Sequence, residues 1–204
     1  AGYQESLTDP SYKGQILIMS HPVIGNYGVD DRYTESSRVQ VTGFAVRQLC
    51  RKASRMYGGR ELDDYMRASE APGISELDTR SIIIGIRERG TLRGAISFHD
   101  DPQEVLEKVR KMRYPSDSNL VAEVSTPEVL RYENEGKKRV ALIDCGVKRS
   151  IVNELTRRFS VVQVPWNTPA SWFRGEELDG IFISNGPGDP AHPEMITNTV
   201  RTLR

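Results

Sequence analysis

Apolar residues follow two different rhythms along this chain. Between Gln15 and about Tyr132 the pattern is irregular, as in an α+β domain. Gln15-Ile16-Leu17-Ile18-Met19 is a run of the length of a buried strand, and Arg38-Val39-Gln40-Val41-Thr42 alternates with the period of a half-exposed one. Between them, Pro22, Gly25-Asn26 and Gly28 predict a long turn region. Asp78-Thr79 predicts a helix start, with Ile82, Ile83 and Ile86 on one face and a stop at Gly90. Asp101-Pro102 opens another helix, with Val105, Leu106 and Val109 turned inward.

After the polar stretch Asn134-Glu135-Gly136-Lys137-Lys138 the rhythm becomes regular. Arg139–Ile143 predicts a strand, Lys148–Phe159 a helix with Ile151, Val152 and Leu155 on one face, and Ser160–Val164 a second strand. A polar connection leads to the strand Gly180–Ser184, expected to be buried, and a helix is predicted from Pro193. Strands alternating with helices imply a parallel sheet with right-handed crossovers. The expected organisation is an amino-terminal domain at 1–133, a linker at 134–138 and an α/β domain at 139–204. Three strands would leave both faces of such a sheet poorly covered, so the second domain is expected to be incomplete.

Composition narrows the partners. The 204 residues carry 28 basic and 28 acidic side chains, so no global field draws the protein to nucleic acid or anionic lipid. A hydrophobic content of 37% and a mean hydropathy of −0.50 fit an ordinary globular protein. No apolar stretch approaches the ~20 residues that span a bilayer, and Ala1-Gly2-Tyr3-Gln4-Glu5 has neither the basic head nor the apolar core of a signal peptide. A cytoplasmic protein is expected, whose sequence opens partway into a domain. Cys50 and Cys145 read as two buried thiols rather than a disulfide. His21, His99 and His192 are too scattered for a zinc site.

The sharpest chemical signal is Asn185-Gly186-Pro187-Gly188-Asp189-Pro190. Two glycines and two prolines can neither extend the preceding strand nor begin a helix at once. They predict a rigid loop at a strand's carboxyl end, where open α/β sheets bind ligands. Its backbone N–H groups, uncovered by side chains, suit a developing oxyanion. A tight αβ connection would use the same residues.

These motifs form an ordered series. Gly2-Tyr3-Gln4-Glu5 with Thr8-Asp9-Pro10-Ser11-Tyr12 comes first, then Pro22 with Ile24-Gly25-Asn26 and Gly28, then Glu35-Ser36-Ser37. Ile74, Asp78-Thr79-Arg80 and Ile86-Arg87-Glu88-Arg89-Gly90 follow, then Asp144-Cys145-Gly146 with Lys148, and finally the Gly-Pro-Gly loop. Together they resemble the small, glutamine-hydrolysing subunits of carbamoyl-phosphate synthetases. The Gly-Pro-Gly loop alone would fit any class I glutamine amidotransferase; the amino-terminal half narrows the resemblance.

The resemblance implies an amino-terminal α+β domain of β/β/α type, followed by the first part of a class I glutaminase domain with a parallel sheet. It implies that Ser11, Gly186 and Gly188 contact glutamine and that the Gly186 N–H is half of an oxyanion hole. Ser11 would offer a small hydroxyl and backbone donors; it would equally suit an ordinary turn. A Cβ at 186 is expected to intrude on the substrate while leaving stability little changed. The family's nucleophilic Cys lies in a Gly-apolar-Cys-Leu-Gly-His-Gln motif that does not occur here, and the His and Glu that complete its triad are not in this chain either. Cys145 ends a different motif, and Ser150 stands where the family usually has Asn.

The implied reaction releases ammonia from glutamine for a large synthetase subunit, which makes carbamoyl phosphate for arginine and pyrimidine biosynthesis as the other half of a heterodimer. ATP and Mg2+ would be used by that large subunit, since no Gly-x-x-x-x-Gly-Lys-Ser/Thr phosphate loop occurs in this chain; no cofactor is expected in the chain itself. Two alternatives are an amidotransferase serving anthranilate or GMP synthesis, which would leave the amino-terminal domain without a counterpart, and a binding or scaffolding protein that kept the fold without the nucleophile.

Overall fold

The structure is a computed structural model and describes residues 2–54, 59–98, 101–192 and 194. It comprises two units, Ala1–Tyr114 and Pro115–Arg204. The division falls ahead of the linker expected at 134–138, because strand β6 (Leu130–Tyr132) pairs with a strand of the second unit. Asn134 continues that attachment, donating its N–H to Ser160 Oγ.

In the first unit, helix α1 (Tyr3–Thr8) precedes a 3-10 turn at Pro10–Tyr12 and strands β1 (Ile16–Ile18), β2 (Val23–Ile24), β3 (Gly43–Ala45) and β4 (Gln48–Leu49). Helix α2 (Leu62–Ala68), β5 (Gly73–Ile74), α3 (Thr79–Arg89) and α4 (Pro102–Lys111) complete it. The strands form two small parallel sheets, β1-β3-β5 and β2-β4, with Leu17 opposite Phe44. Tyr3, Leu7, Ile24, Val41, Phe44, Leu62 and Met66 belong to the buried core around them.

Three features of this unit depart from the apolar pattern. The run Arg38–Thr42 is not a ladder strand: Val41 makes a single bridge to Lys13, and Gln40 and Thr42 donate their N–H groups to the carbonyls of Leu7 and Gln15. The strand forms just after it, at β3, where Gly43, Phe44 and Ala45 are all buried and no alternation advertises it. Helix α3 starts as predicted, Asp78 accepting from the Ser81 N–H at 3.2 Å, and ends at Gly90 with φ +81°. Ile83 and Ile86 are half-buried but Ile82 faces solvent. Helix α4 is capped by Asp101 and buries no residue fully; Leu106 is exposed.

The second unit follows its pattern closely. Strand β7 (Arg139–Asp144), helix α5 (Arg149–Arg158), β8 (Ser160–Pro165), a short helix α6 (Ala170–Arg174) and β9 (Gly180–Ile183) follow β6 in a sheet of order β6-β8-β7-β9. Strands β8, β7 and β9 are parallel, and β6 is antiparallel at one edge. Period-two alternation sends Ala141, Ile143, Val162 and Val164 to one face, covered by Phe173 and Val121. Leu142 and Val161 go to the other, against Ile151, Val152 and Leu155 of α5. Strand β9 was expected to be buried, yet Ile181, Phe182 and Ile183 are 38%, 37% and 37% exposed. Among the described residues they lie on the strand at the sheet's end, paired with β7 alone. The helix predicted from Pro193 lies outside the described residues.

Candidate active site

Strands β7 and β9 run side by side, with Ile143 opposite Ile183. Their carboxyl ends therefore deliver two loops to one place: Asp144-Cys145-Gly146 after β7 and Ser184–Pro190 after β9. The Ser184 N–H continues the ladder to the Ile143 carbonyl at 3.1 Å.

The first loop is built around a buried carboxylate. Asp144 Oδ1 accepts from the N–H groups of Gly146 and Val147, each at 2.8 Å, and Oδ2 accepts from the Thr126 N–H at 2.9 Å and Gln163 Nε2 at 2.8 Å. Four donors compensate the removal of this carboxylate from water. Gly146, at φ +111°, makes the turn that brings two successive N–H groups onto one oxygen.

The second loop is tied to the first. Ser184 Oγ accepts from the Cys145 N–H at 2.9 Å and donates to the Asn185 carbonyl at 2.7 Å. Gly186 is half-buried with its backbone against Cys145: a Cβ at 186 would overlap the Cys145 carbonyl oxygen and lie 2.8 Å from the carbonyl carbon. The absence of a side chain at 186 is thus required by the protein's own backbone, which corrects the expectation that a Cβ there would meet only a substrate. Gly188 has the opposite reason to be glycine. Among the described residues, its chain neighbours aside, a Cβ would meet only ordinary van der Waals contacts, the nearest the Pro115 carbonyl oxygen at 3.7 Å, but its φ of +80° is left-handed. Among the described residues, no acceptor is bonded to the N–H of Gly186 or of Gly188. Two uncommitted donors, one of them half-buried, leave this loop able to bind an oxygen carrying negative charge.

Cys145 itself is poorly suited to nucleophilic work. Burial, reinforced by the neighbouring Asp144 carboxylate, pushes its thiol up to about 11, which keeps it protonated at neutral pH.

Ser11 belongs to the first unit. It sits in the Pro10–Tyr12 turn, where Asp9 accepts its N–H at 2.8 Å and its carbonyl accepts from Gln15 Nε2. Its backbone donor is therefore already engaged within the turn, contrary to the expectation that it is available to a ligand. The motif residues around it hold the unit together. Tyr3 stacks on Tyr27 at 4.3 Å and donates its hydroxyl to the Gly28 carbonyl at 2.6 Å; burial raises its phenol well above the ordinary range. Gln4 exchanges two hydrogen bonds with the backbone of Asp30, and Thr8 Oγ1 accepts from the Glu35 N–H. The first three motifs of the sequence are thus one another's partners.

Sequence reasoning missed Ser184, Thr126 and Gln163 as parts of this arrangement. Gln163 carried a readable signal: a polar residue breaking the valine run of β8 must be satisfied if that strand is buried. Among the described residues, no three His, Cys, Asp or Glu side chains gather as a metal-ligand set, and no helix is long and apolar enough to cross a membrane.

Two family models match successive parts of the chain. That of the carbamoyl-phosphate synthase small chain, CPSase domain, matches residues 1–96, and that of class-I glutamine amidotransferases matches residues 141–204. The carbamoyl phosphate synthase small chain of Archaeoglobus fulgidus is 43% identical over 204 residues, which takes in 99% of this chain and 57% of that protein. That of Methanopyrus kandleri is 43% identical over 208 residues, again 99% and 57%, and that of Bacillus caldolyticus 44% over 199 residues, 96% and 54%. The chain spans a little over half the length of these curated relatives.

Proposed function

Because this chain belongs to the family of carbamoyl phosphate synthase small chains, we propose that the protein it forms part of hydrolyses glutamine to glutamate and ammonia. The ammonia passes to a large synthetase subunit, which uses ATP and Mg2+ to make carbamoyl phosphate for arginine and pyrimidine biosynthesis. The observation that supports this reading is the pair of N–H groups at Gly186 and Gly188, uncommitted among the described residues, on a loop at the carboxyl end of parallel strands.

In this reading a cysteine thiolate attacks the side-chain amide carbon, and the carbonyl oxygen becomes an oxyanion as the bond forms. The Gly186 N–H donates to that oxyanion, a contribution of about 3–4 kcal/mol to the transition state for one such donor. Gly188 and Ser11 help to hold the substrate. The nucleophile is not Cys145, whose thiol is buried and protonated, nor Cys50, whose Sγ donates to the Lys52 carbonyl within a loop of the first unit. Residues 1–204 by themselves are therefore inactive towards glutamine.

The test uses the full small chain assembled with its synthetase partner. Ser11→Ala is expected to weaken glutamine-dependent synthesis while sparing synthesis from added ammonia, which bypasses the glutaminase. Equal losses with both nitrogen sources would refute the role of Ser11. An assembled wild-type protein that released no glutamate from glutamine would refute the reading as a whole.

A further inference from the structure

We infer that Ser184 is a positioning residue that aims the Gly186 N–H. The inference rests on the reading of Gly186 as an oxyanion donor. Ser184 Oγ has one hydrogen, and the structure commits it to the Asn185 carbonyl at 2.7 Å. The same oxygen accepts from the Cys145 N–H at 2.9 Å, so the hydroxyl is fixed from both sides, at a residue only 9% exposed.

The consequence follows from peptide geometry. The Asn185 carbonyl and the Gly186 N–H belong to one planar peptide unit and point in opposite directions across it. Holding the carbonyl on Ser184 therefore turns the Gly186 N–H away from Ser184. The Cys145 carbonyl, which occupies the space a Cβ at 186 would need, closes off another position of the loop. Without the hydroxyl, the Asn185–Gly186 peptide loses the donor that fixes its orientation from the Ser184 side, and its plane can turn. The N–H of Gly186 would then be present but misdirected, and a misplacement of about 1 Å can cost on the order of 10²-fold in rate.

The role differs from a purely structural one in what it predicts. A misaimed oxyanion donor lowers kcat for glutamine more than it raises KM, because the donor acts on charge that develops only in the transition state. In the assembled, full-length protein, Ser184→Ala is expected to lower glutamine kcat by about 10- to 100-fold. KM should stay within about threefold, and synthesis from ammonia should be unchanged. Ser184→Thr keeps the hydroxyl and is expected to recover most of the lost kcat, whereas Ser184→Val, of the same shape without it, should not. Wild-type kcat in Ser184→Ala would overturn the inference. So would equal losses with glutamine and ammonia, a chain that no longer folds, or equal behaviour of the Thr and Val variants. A wild-type protein without glutaminase activity would instead remove the reading of Gly186 on which this rests.

Discussion

The carbonyl oxygen of Cys145 occupies the space that a Cβ on Gly186 would need. The clash is with backbone and not with the flexible end of a side chain, and that backbone is pinned on either side by the Cys145 N–H on Ser184 and the Gly146 N–H on Asp144. Gly186→Ala must therefore force apart the ends of β7 and β9. It is expected to destabilise the second unit by about 3 kcal/mol. Both tryptophans, Trp166 and Trp172, lie in that unit, so denaturant unfolding followed by tryptophan fluorescence reports on it. An unchanged midpoint would mean that the two loops separate easily.

Gly188 should respond to a different rule. Its left-handed φ of +80° sets the cost, since among the described residues a Cβ there would meet only ordinary van der Waals contacts. Gly188→Ala is expected to cost about 1–2 kcal/mol, and Gly188→Asn less, because Asn tolerates the left-handed region better than Ala. The same fluorescence measurement decides it: Ala and Asn variants of equal stability would show that the dihedral is not what requires glycine.

The Cys145 thiol gives a pH signature. Its folded value, pushed to about 11 from an ordinary 9.0, lies above that of the unfolded chain. The neutral thiol is thus favoured by folding, and this contribution is fully present below about pH 9 and is lost as pH rises towards 11. Native protein at pH 8 should label one thiol fewer with a thiol reagent than denatured protein, Cys145 being the one protected. Rapid labelling of Cys145 in the native state would contradict its burial.

Asp144 is the hub of the turn behind the candidate site, with four donors on one buried carboxylate. Asp144→Asn keeps the shape but turns an NH2 group towards at least one of those donors. A loss of about 3 kcal/mol is expected, larger than for removing one neutral hydrogen bond. Chemical denaturation measures it. A loss under about 1 kcal/mol, the net worth of an ordinary hydrogen bond, would indicate that the network rearranges around the amide.

How much of this was legible beforehand depended on whether a segment's role was local. Strands β7 and β8 and helix α5 stood out because each buries a face with a regular period, and period is a property of consecutive residues. The starts of α3 and α4 were equally legible, since Asp78 and Asp101 cap helices through backbone groups two or three residues away. Strand β3 was not, because all three of its residues are buried, and neither was the position of β6, whose partner lies some 30 residues further along.

The candidate loop shows the same limit at the scale of single residues. From sequence alone, Asn185-Gly186-Pro187-Gly188-Asp189-Pro190 was already determined to be a loop ending a strand, with bare backbone amides, because glycine and proline restrict the chain wherever they occur. The reason for each glycine emerges only from the fold. Gly186 is set by the Cys145 carbonyl and Ser184 by the Cys145 N–H, contacts between residues about 40 positions apart in the chain. Such contacts exist only once β7 and β9 lie side by side, and no local pattern encodes them.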